Sequence, residues 1–230
     1  MKSRNKTLLL ALFFSTCIAS FYSFVALKRY YIIHEYFTQD KWKRLNKEFN
    51  RMKKVNHSTV FFGDSMTENF KYLPDTSSVV NMGISGDFTE GLIKRIDNVI
   101  RFQPDKLFIM IGINDIVEKV PLSEIENNYI KILDLLKTDC PQTKIFIQST
   151  LPTFGLKSLL SSSKIINLKV EKLNTFLLLE SKKRNITLIN LYPFFVTSNN
   201  ELNPDLTTDG VHLNKKGYEI WLTQIKPYFN

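Results

Sequence analysis

The chain has 230 residues, 43% of them hydrophobic and 18 of them Phe, which is enough for one globular domain and excludes a disordered protein. Its formal net charge of +9 is confined to residues 1–57, which hold 12 Lys and Arg against 3 Asp and Glu. Residues 58–230 hold 19 basic and 19 acidic residues. The domain therefore has no excess of positive charge, and nucleic acid is not an expected partner. The two cysteines, Cys17 and Cys140, provide no disulfide framework.

An uncharged run from Thr7 to Leu27 opens the chain. At about 1.5 Å per helical residue it reaches roughly the 30 Å of a bilayer core, and Lys28 and Arg29 follow it directly. This pattern predicts a membrane anchor within residues 1–29 and a following domain outside the cytoplasm. A cleaved signal peptide, which would release a secreted protein, is the alternative. Basic residues on both sides of the run leave its orientation open.

Residues 30–57 form a basic linker in which aromatic and aliphatic side chains recur at helical spacing. The residues of this stripe are Trp42, Leu45, Phe49 and Met52. A stripe of this kind predicts a helix over residues 38–57 that packs on the domain. A helix lying on a membrane surface is the alternative.

From residue 58 onward, short apolar runs alternate with amphipathic patterns. The runs predict strands at residues 59–64, 78–83, 106–112, 144–149 and 186–191, and near-continuous apolar runs are typical of parallel strands buried on both faces. The patterns between them predict helices at residues 90–102, 125–136, 164–183 and 215–228. The alternation predicts that residues 58–230 form a three-layer α/β/α sandwich, flavodoxin-like, with a five-stranded parallel sheet.

Polar residues follow the predicted strands at their carboxyl ends, where parallel sheets of this class bind ligands. Ser65 follows the first strand, Gly86 lies after the second and Asn114 after the third, while Asp209 and His212 lie after the fifth. We therefore expect these five residues to converge. Taken alone, Ser65 is better explained as a helix N-cap, and the motif around His212 is equally well explained as a turn before a helix.

A serine hydroxyl needs a base to become a nucleophile. Of the three histidines, only His212 is expected at this edge of the sheet, because His34 lies beside the apolar run and His57 precedes the first strand. Asp209 stands three residues before His212, close enough to hold the second ring nitrogen.

Acyl transfer also requires hydrogen-bond donors for the developing oxyanion. The backbone N–H at Ser65, the N–H of Gly86 and the side-chain amide of Asn114 are candidate donors. A turn glycine and a loop-capping amide are the structural explanations of Gly86 and Asn114.

Four blocks of sequence contain these residues: FFGDSMTE, NMGISGDFTEGL, MIGINDI and TTDGVHLNKKGYEIW. In these blocks the chain resembles the SGNH, or GDSL-type, hydrolase superfamily, and most of all its platelet-activating-factor-acetylhydrolase-like branch of bacterial esterases. The resemblance covers residues 41–228, with Met66 where Leu is usual. It implies that Ser65 is the nucleophile, His212 the general base and Asp209 its orienting partner. It also implies an oxyanion hole formed by Ser65, Gly86 and Asn114.

The sequence thus predicts a serine esterase that cleaves short-chain acyl esters, acetyl above all, on carbohydrate or lipid through an acyl-enzyme. An acyltransferase with the same triad and a non-catalytic carbohydrate- or lipid-binding module remain alternatives. No cofactor is expected, and the three scattered histidines argue against a metal site. A dinucleotide-binding domain would need G-x-G-x-x-G after the first strand, which GDSMTE does not provide.

Overall fold

A five-stranded parallel sheet forms the centre of the domain. The computed structural model describes residues 2–73, 78–158 and 161–229, with side chains from residue 12 onward except at positions 158 and 161. The sheet has the order β2-β1-β3-β4-β7, the 2-1-3-4-5 order of flavodoxin-like sheets, which confirms the predicted α/β fold and its five parallel strands. Its strands are β1 (Thr59–Gly63), β2 (Val79–Gly83), β3 (Lys106–Met110), β4 (Lys144–Gln148) and β7 (Thr187–Ile189). A short antiparallel pair, β5 (Lys157–Ser158) and β6 (Ser161–Ser162), was not expected from the sequence.

Helices precede the sheet and connect its strands. The patterns at residues 125–136, 164–183 and 215–228 correspond to α7, α8 and α9, the last of which ends in a 3-10 turn at Lys226–Tyr228. The helices are α1 (Lys2–Thr38), α2 (Asp40–Arg51), α3 (Ser65–Glu68), α4 (Thr89–Lys94), α5 (Ile96–Phe102), α6 (Ile113–Val117), α7 (Leu122–Asp139), α8 (Ser163–Arg184) and α9 (Lys215–Ile225).

Both faces of the sheet are buried, because successive side chains of each strand point to opposite sides. Val60 and Phe62 of β1 lie in the core formed with α2, α5, α7 and α8. Phe61 lies between them in sequence but in the other core, which contains Trp221 of α9. On that side the ring of Phe61 stacks on Phe108 of β3 at 4.7 Å between centroids. Helical layers on both faces explain the unbroken apolar runs of the strands.

The helix predicted over residues 90–102 is instead two helices, α4 and α5, which meet at Arg95. The side chain of Arg95 is fully buried, and its guanidinium donates to the Asp87 carboxylate at 2.7 Å, to the Met82 carbonyl at 2.6 Å and to the Gly63 carbonyl at 2.9 Å. A buried charge requires such partners. These long-range bonds hold Arg95 at φ −123° and interrupt the helix, which the apolar periodicity could not indicate.

α1 continues for 37 residues, past the predicted boundary at residue 29. Many of its apolar side chains between residues 12 and 31 are exposed, Phe13 and Leu27 among them. Over the described part of the chain, no helix is both long and apolar enough to cross a membrane, so the predicted span at Thr7–Leu27 is not supported. The first five residues of that span, Thr7–Ala11, lie outside the residues whose side chains are described.

The junction between α1 and α2 lies on the domain. α1 ends at Thr38, and Gln39 separates it from α2. Trp42 and Phe49 are buried in the core, as expected for a stripe that packs on the domain, whereas Met52 at the end of α2 is exposed. The linker is therefore a structural part of the domain.

Candidate active site

Ser65 is the first residue of α3, directly after β1, and is buried. The residue that caps this helix is Asp64, whose Oδ1 accepts the N–H of Met66 at 3.0 Å. Gly63 allows β1 to approach β3, since a Cβ there would lie 2.3 Å from the Met110 carbonyl oxygen. Capping is thus done by Asp64, and the hydroxyl of Ser65 remains available for another role.

The loop after β7 brings His212 and Asp209 to the same edge of the sheet. Nε2 of His212 lies 3.0 Å from Oγ of Ser65, and Nδ1 lies 2.6 Å from Oδ2 of Asp209. Oδ1 of Asp209 accepts the backbone N–H of Val211 at 2.9 Å and that of His212 at 2.8 Å. Gly210 makes this tight turn possible with φ +88°. One unbroken line of hydrogen-bonding groups therefore connects Asp209 to Ser65.

The electrostatics of Asp209 suit an orienting carboxylate. Partial burial acts to raise its pKa, but hydrogen bonds from the His212 ring and from the backbone N–H groups of His212 and Val211 outweigh it, and the pKa lies below its usual value. Asp209 is therefore ionised near neutral pH. An ionised Asp209 favours the proton on Nδ1 of His212, which leaves Nε2 to accept the proton of Ser65.

Gly86 and Asn114 lie in the loops after β2 and β3. Gly86 has φ +81°, a conformation that favours glycine. Asn114 lies in α6, and its Nδ2 donates to the Asp87 carbonyl at 2.9 Å, which links the two loops. The amide carries two N–H donors, and this bond uses one of them. All five residues predicted for the site thus follow strands at the carboxyl edge of the sheet.

A set of contacts around Ser85 holds the loop that contains Gly86. The sequence does not predict these contacts. The Tyr36 hydroxyl donates to the Ser85 carbonyl at 3.0 Å. The Glu68 carboxylate accepts hydrogen bonds from the backbone N–H and the hydroxyl of Ser85, and Lys41 lies 2.8 Å from Glu68. Helices α1 and α2 therefore support the loop. Glu68 and Ser85 stand in quoted blocks, whereas Tyr36 and Lys41 do not, and no sequence pattern connects these four residues.

Three carboxyl groups are buried at this edge. Asp87 pairs with Arg95 and accepts the Trp42 indole N–H at 3.2 Å. Burial raises the pKa of Asp64 to about 7, and among the described residues its Oδ2 has no hydrogen-bond partner. Burial also raises the pKa of Asp115 to about 7, although Thr89 donates to it from its backbone and its hydroxyl.

Other features lie apart from this constellation. His57 is exposed, with Nδ1 2.9 Å from Asp105, and the ring of His34 stacks on Tyr30. A concave space of about 670 Å³ opens where β3 and β4 begin, at the opposite edge of the sheet. Among the described residues that line it there is no histidine, so we assign no acyl-transfer chemistry to it.

Comparisons with known proteins identify the family of this chain. The family model for the GDSL-like lipase/acylhydrolase family matches residues 61–220, and the chain belongs to that family. It is thus a hydrolase of the GDSL type. A protein from Streptococcus pneumonia, provisionally named a platelet activating factor, has a similar structure, with a TM-score of 0.73 and 25% identity over 86% of this chain and 97% of that one.

More distant similarities support the fold. An acetylxylan esterase from Geobacillus stearothermophilus superimposes with a TM-score of 0.61 and 20% identity, over 77% of this chain and 95% of that one. Among curated proteins, N-acylneuraminate cytidylyltransferases of Streptococcus agalactiae are similar, one at 24% identity over 176 residues, or 76% of this chain. The chain spans only 40% of the length of these curated relatives.

Proposed function

We propose that this hydrolase is a serine esterase that cleaves short-chain acyl esters through a Ser65-His212-Asp209 triad. One observation carries the proposal. Oγ of Ser65 lies 3.0 Å from Nε2 of His212, and Nδ1 of the same ring lies 2.6 Å from Asp209. This is the arrangement that turns a serine hydroxyl into a nucleophile.

The reaction divides into two halves. In the first, Oγ of Ser65 forms a bond to the ester carbonyl carbon while its proton passes to Nε2 of His212. The backbone N–H groups of Ser65 and Gly86 and the amide of Asn114 stabilise the oxyanion. The C–O bond to the alcohol then breaks, the His212 proton goes to the alcohol oxygen, and an acyl-Ser65 ester remains. In the second half, water gives a proton to Nε2 of His212 while its oxygen bonds to the acyl carbon. The bond between that carbon and Oγ of Ser65 then breaks, His212 returns the proton to Oγ, and the acid leaves.

We propose that the acyl group is small, such as acetyl, because Gly86 and Asn114 stand in short connections after β2 and β3. The fold is shared with an acetylxylan esterase, and we propose acetylated carbohydrate as the substrate class, with a lipid ester as the second candidate.

The test is a chain-length series of p-nitrophenyl esters with the full chain and its variants. Ser65→Ala and His212→Ala are each expected to lower kcat by about 10⁴–10⁶-fold, and the double variant by no more, because the two side chains act as a unit. His57→Ala, at an exposed histidine, is the matched control. Retention of more than a tenth of the activity by Ser65→Ala would contradict the triad.

The same series decides between the substrate classes and the acyltransferase alternative. Acetate esters are expected to react fastest, whereas a maximum at long acyl chains would favour lipid. If the chain is instead an acyltransferase, a sugar acceptor added to p-nitrophenyl acetate would accumulate as its acetyl ester faster than acetate appears.

A further inference from the structure

A groove beside the loops that carry Gly86 and Asn114 has no role in the reaction proposed above. It has a volume of about 380 Å³ and extends between the last turn of α1 and the loops that carry Gly86 and Asn114. Pockets that hold small ligands begin at about 300 Å³. Gly86 and Asn114, two of the three proposed oxyanion donors, line this groove. A molecule bound in it would therefore be adjacent to the reacting carbonyl.

One wall of the groove comes from outside the part of the chain that matches the family. Glu35, Tyr36 and Gln39 line it from the end of α1, whereas the family match begins at residue 61. The opposite wall includes Phe88 and Glu118. The groove is therefore formed in part by residues outside the region that matches the family.

The α1 wall is fixed in place. The Tyr36 hydroxyl holds the Ser85 carbonyl at 3.0 Å, and its ring packs on Gly86 so closely that a Cβ there would lie 3.0 Å from the ring. The ring of Tyr36 also meets Phe88 edge-on at 5.3 Å between centroids. A wall held by these contacts can select a ligand without first being ordered.

The chemistry of the lining selects for one kind of ligand. The carboxylates of Glu35 and Glu118 accept hydrogen bonds from hydroxyl groups, and the amides of Gln39 and Asn114 both donate and accept them. Phe88 and Tyr36 are nearly buried and contribute only ring edges to the floor of the groove. No Lys or Arg is among the described residues of the lining, and two carboxylates repel an anionic group.

We propose that this groove is the subsite for the alcohol half of the ester, and that it binds a neutral, hydroxyl-rich sugar ring. The inference rests on the proposed esterase function. Glu35 and Gln39 are specificity-determining residues, because they contact the sugar and not the acyl group. An acidic sugar or a phosphate-bearing alcohol is disfavoured by the same carboxylates.

The kinetic test compares two acetate esters on the full chain: p-nitrophenyl acetate and a mono-O-acetylated methyl xyloside. Glu35→Gln and Gln39→Ala are expected to raise KM for the acetylated xyloside about 10-fold each, as for the loss of a hydrogen bond to a ligand hydroxyl. kcat/KM for p-nitrophenyl acetate is expected to change less than 2-fold. The control is Glu48→Gln, an exposed carboxylate on α2 paired with Arg44, which should alter neither substrate.

Charge selection provides an independent readout. An acetylated methyl glucuronide, which carries a carboxylate, is expected to be a poorer substrate than the xyloside, and Glu35→Gln should narrow that difference. Equal losses on p-nitrophenyl acetate and the xyloside would show a structural role for Glu35 and overturn the proposal. Unchanged kinetics on both esters would overturn it as well.

A binding measurement separates failure of this inference from failure of the esterase proposal. Methyl xyloside is titrated into full-length Ser65→Ala and followed by ligand-observed NMR, with Glu35→Gln added in the same background. Binding that is lost with Glu35→Gln supports the subsite even if no ester is hydrolysed. Absence of binding in the presence of Ser65-dependent esterase activity overturns the subsite and leaves the esterase intact.

Discussion

Asn114, one of the proposed oxyanion donors, is oriented by a hydrogen bond to a neighbouring loop. Its Nδ2 donates to the Asp87 carbonyl at 2.9 Å, so the amide is oriented before any substrate binds. Preorganised donors of this kind stabilise the oxyanion more than they stabilise the bound ester.

Asn114→Ala is therefore expected to lower kcat for p-nitrophenyl acetate by about 10²–10³-fold with little change in KM. Steady-state kinetics of the full chain give both constants. Asn127→Ala, at an exposed position of α7, is the control. A higher KM with unchanged kcat would place Asn114 in substrate binding and not in oxyanion stabilisation.

Asp64 caps α3, and its burial disfavours the ionised form of its carboxyl group. Its pKa is raised to about 7 by burial, against an ordinary value near 4, so the folded protein holds a proton that the unfolded chain releases. The contribution of this proton to the free energy of unfolding is complete below about pH 4. It decreases as the pH rises and is lost above about pH 7.

Between pH 6 and pH 8, Asp64 is expected to lower the free energy of unfolding by about 1 kcal/mol. Asp64→Asn keeps an oxygen for the Met66 N–H and removes the titration, so urea unfolding of this variant should lose that part of the pH dependence. Asp97→Asn, at an exposed carboxylate of α5, serves as the comparison. An unchanged difference between pH 6 and pH 8 in Asp64→Asn would exclude Asp64 as its source, and Asp115 would be the next candidate.

At the scale of elements, the contact between α1 and the loop after β2 connects α1 to the proposed oxyanion hole. Tyr36 supplies its hydroxyl to the Ser85 carbonyl, and Lys41 supports Glu68, which holds the other side of Ser85. Gly86 follows Ser85 directly, so its N–H is positioned by these bonds.

Tyr36→Phe removes one hydrogen bond and preserves the packing of the ring. A net hydrogen bond contributes about 0.5–1.5 kcal/mol, so kcat for p-nitrophenyl acetate is expected to fall roughly 2- to 10-fold while KM for this small ester stays close to its original value. Tyr22→Phe, at an exposed tyrosine of the same helix, should leave kcat unchanged. If both variants behave alike, the contact with Ser85 does not position the loop during catalysis.

At the scale of the whole molecule, the N-terminal helices belong to the core of the hydrolase domain. Three of their aromatic side chains are buried in it: Tyr36, Trp42 and Phe49. Each buried side chain of this size contributes on the order of 1.5–3 kcal/mol. Between residues 12 and 35, α1 carries mostly exposed side chains.

A chain that begins at residue 58 is therefore expected to lose at least about 3 kcal/mol of unfolding free energy, together with most of its activity. A chain that begins at residue 33 keeps all three aromatic side chains. It should match the full-length protein in its free energy of unfolding and in its activity. Urea unfolding and p-nitrophenyl acetate kinetics provide the two measurements. Equal stability of the two truncated chains would mean that α2 and the end of α1 do not contribute to the core.

Much of the fold could be predicted from local patterns of apolar residues in the sequence. The five strands were predicted because each is a short apolar run buried on both faces, and that requirement is visible in the residues themselves. The helix at residues 90–102 was predicted as one because its apolar spacing is regular, yet Arg95 breaks it in order to reach Asp87 and two strand carbonyls. Apolar spacing does not indicate such polar partners, which lie 8, 13 and 32 residues before Arg95.

The sequence by itself determined the fold class and the five residues proposed for the site, because polar residues placed after buried parallel strands must meet at one edge of the sheet. It also indicated the family, through four blocks in a fixed order. Only the tertiary structure decided that Asp64 and not Ser65 caps α3, and that α1 reaches the oxyanion loop through Tyr36. The physical reason is that hydrogen-bond partners and groove walls depend on distances between segments, and these exist only once the chain has folded.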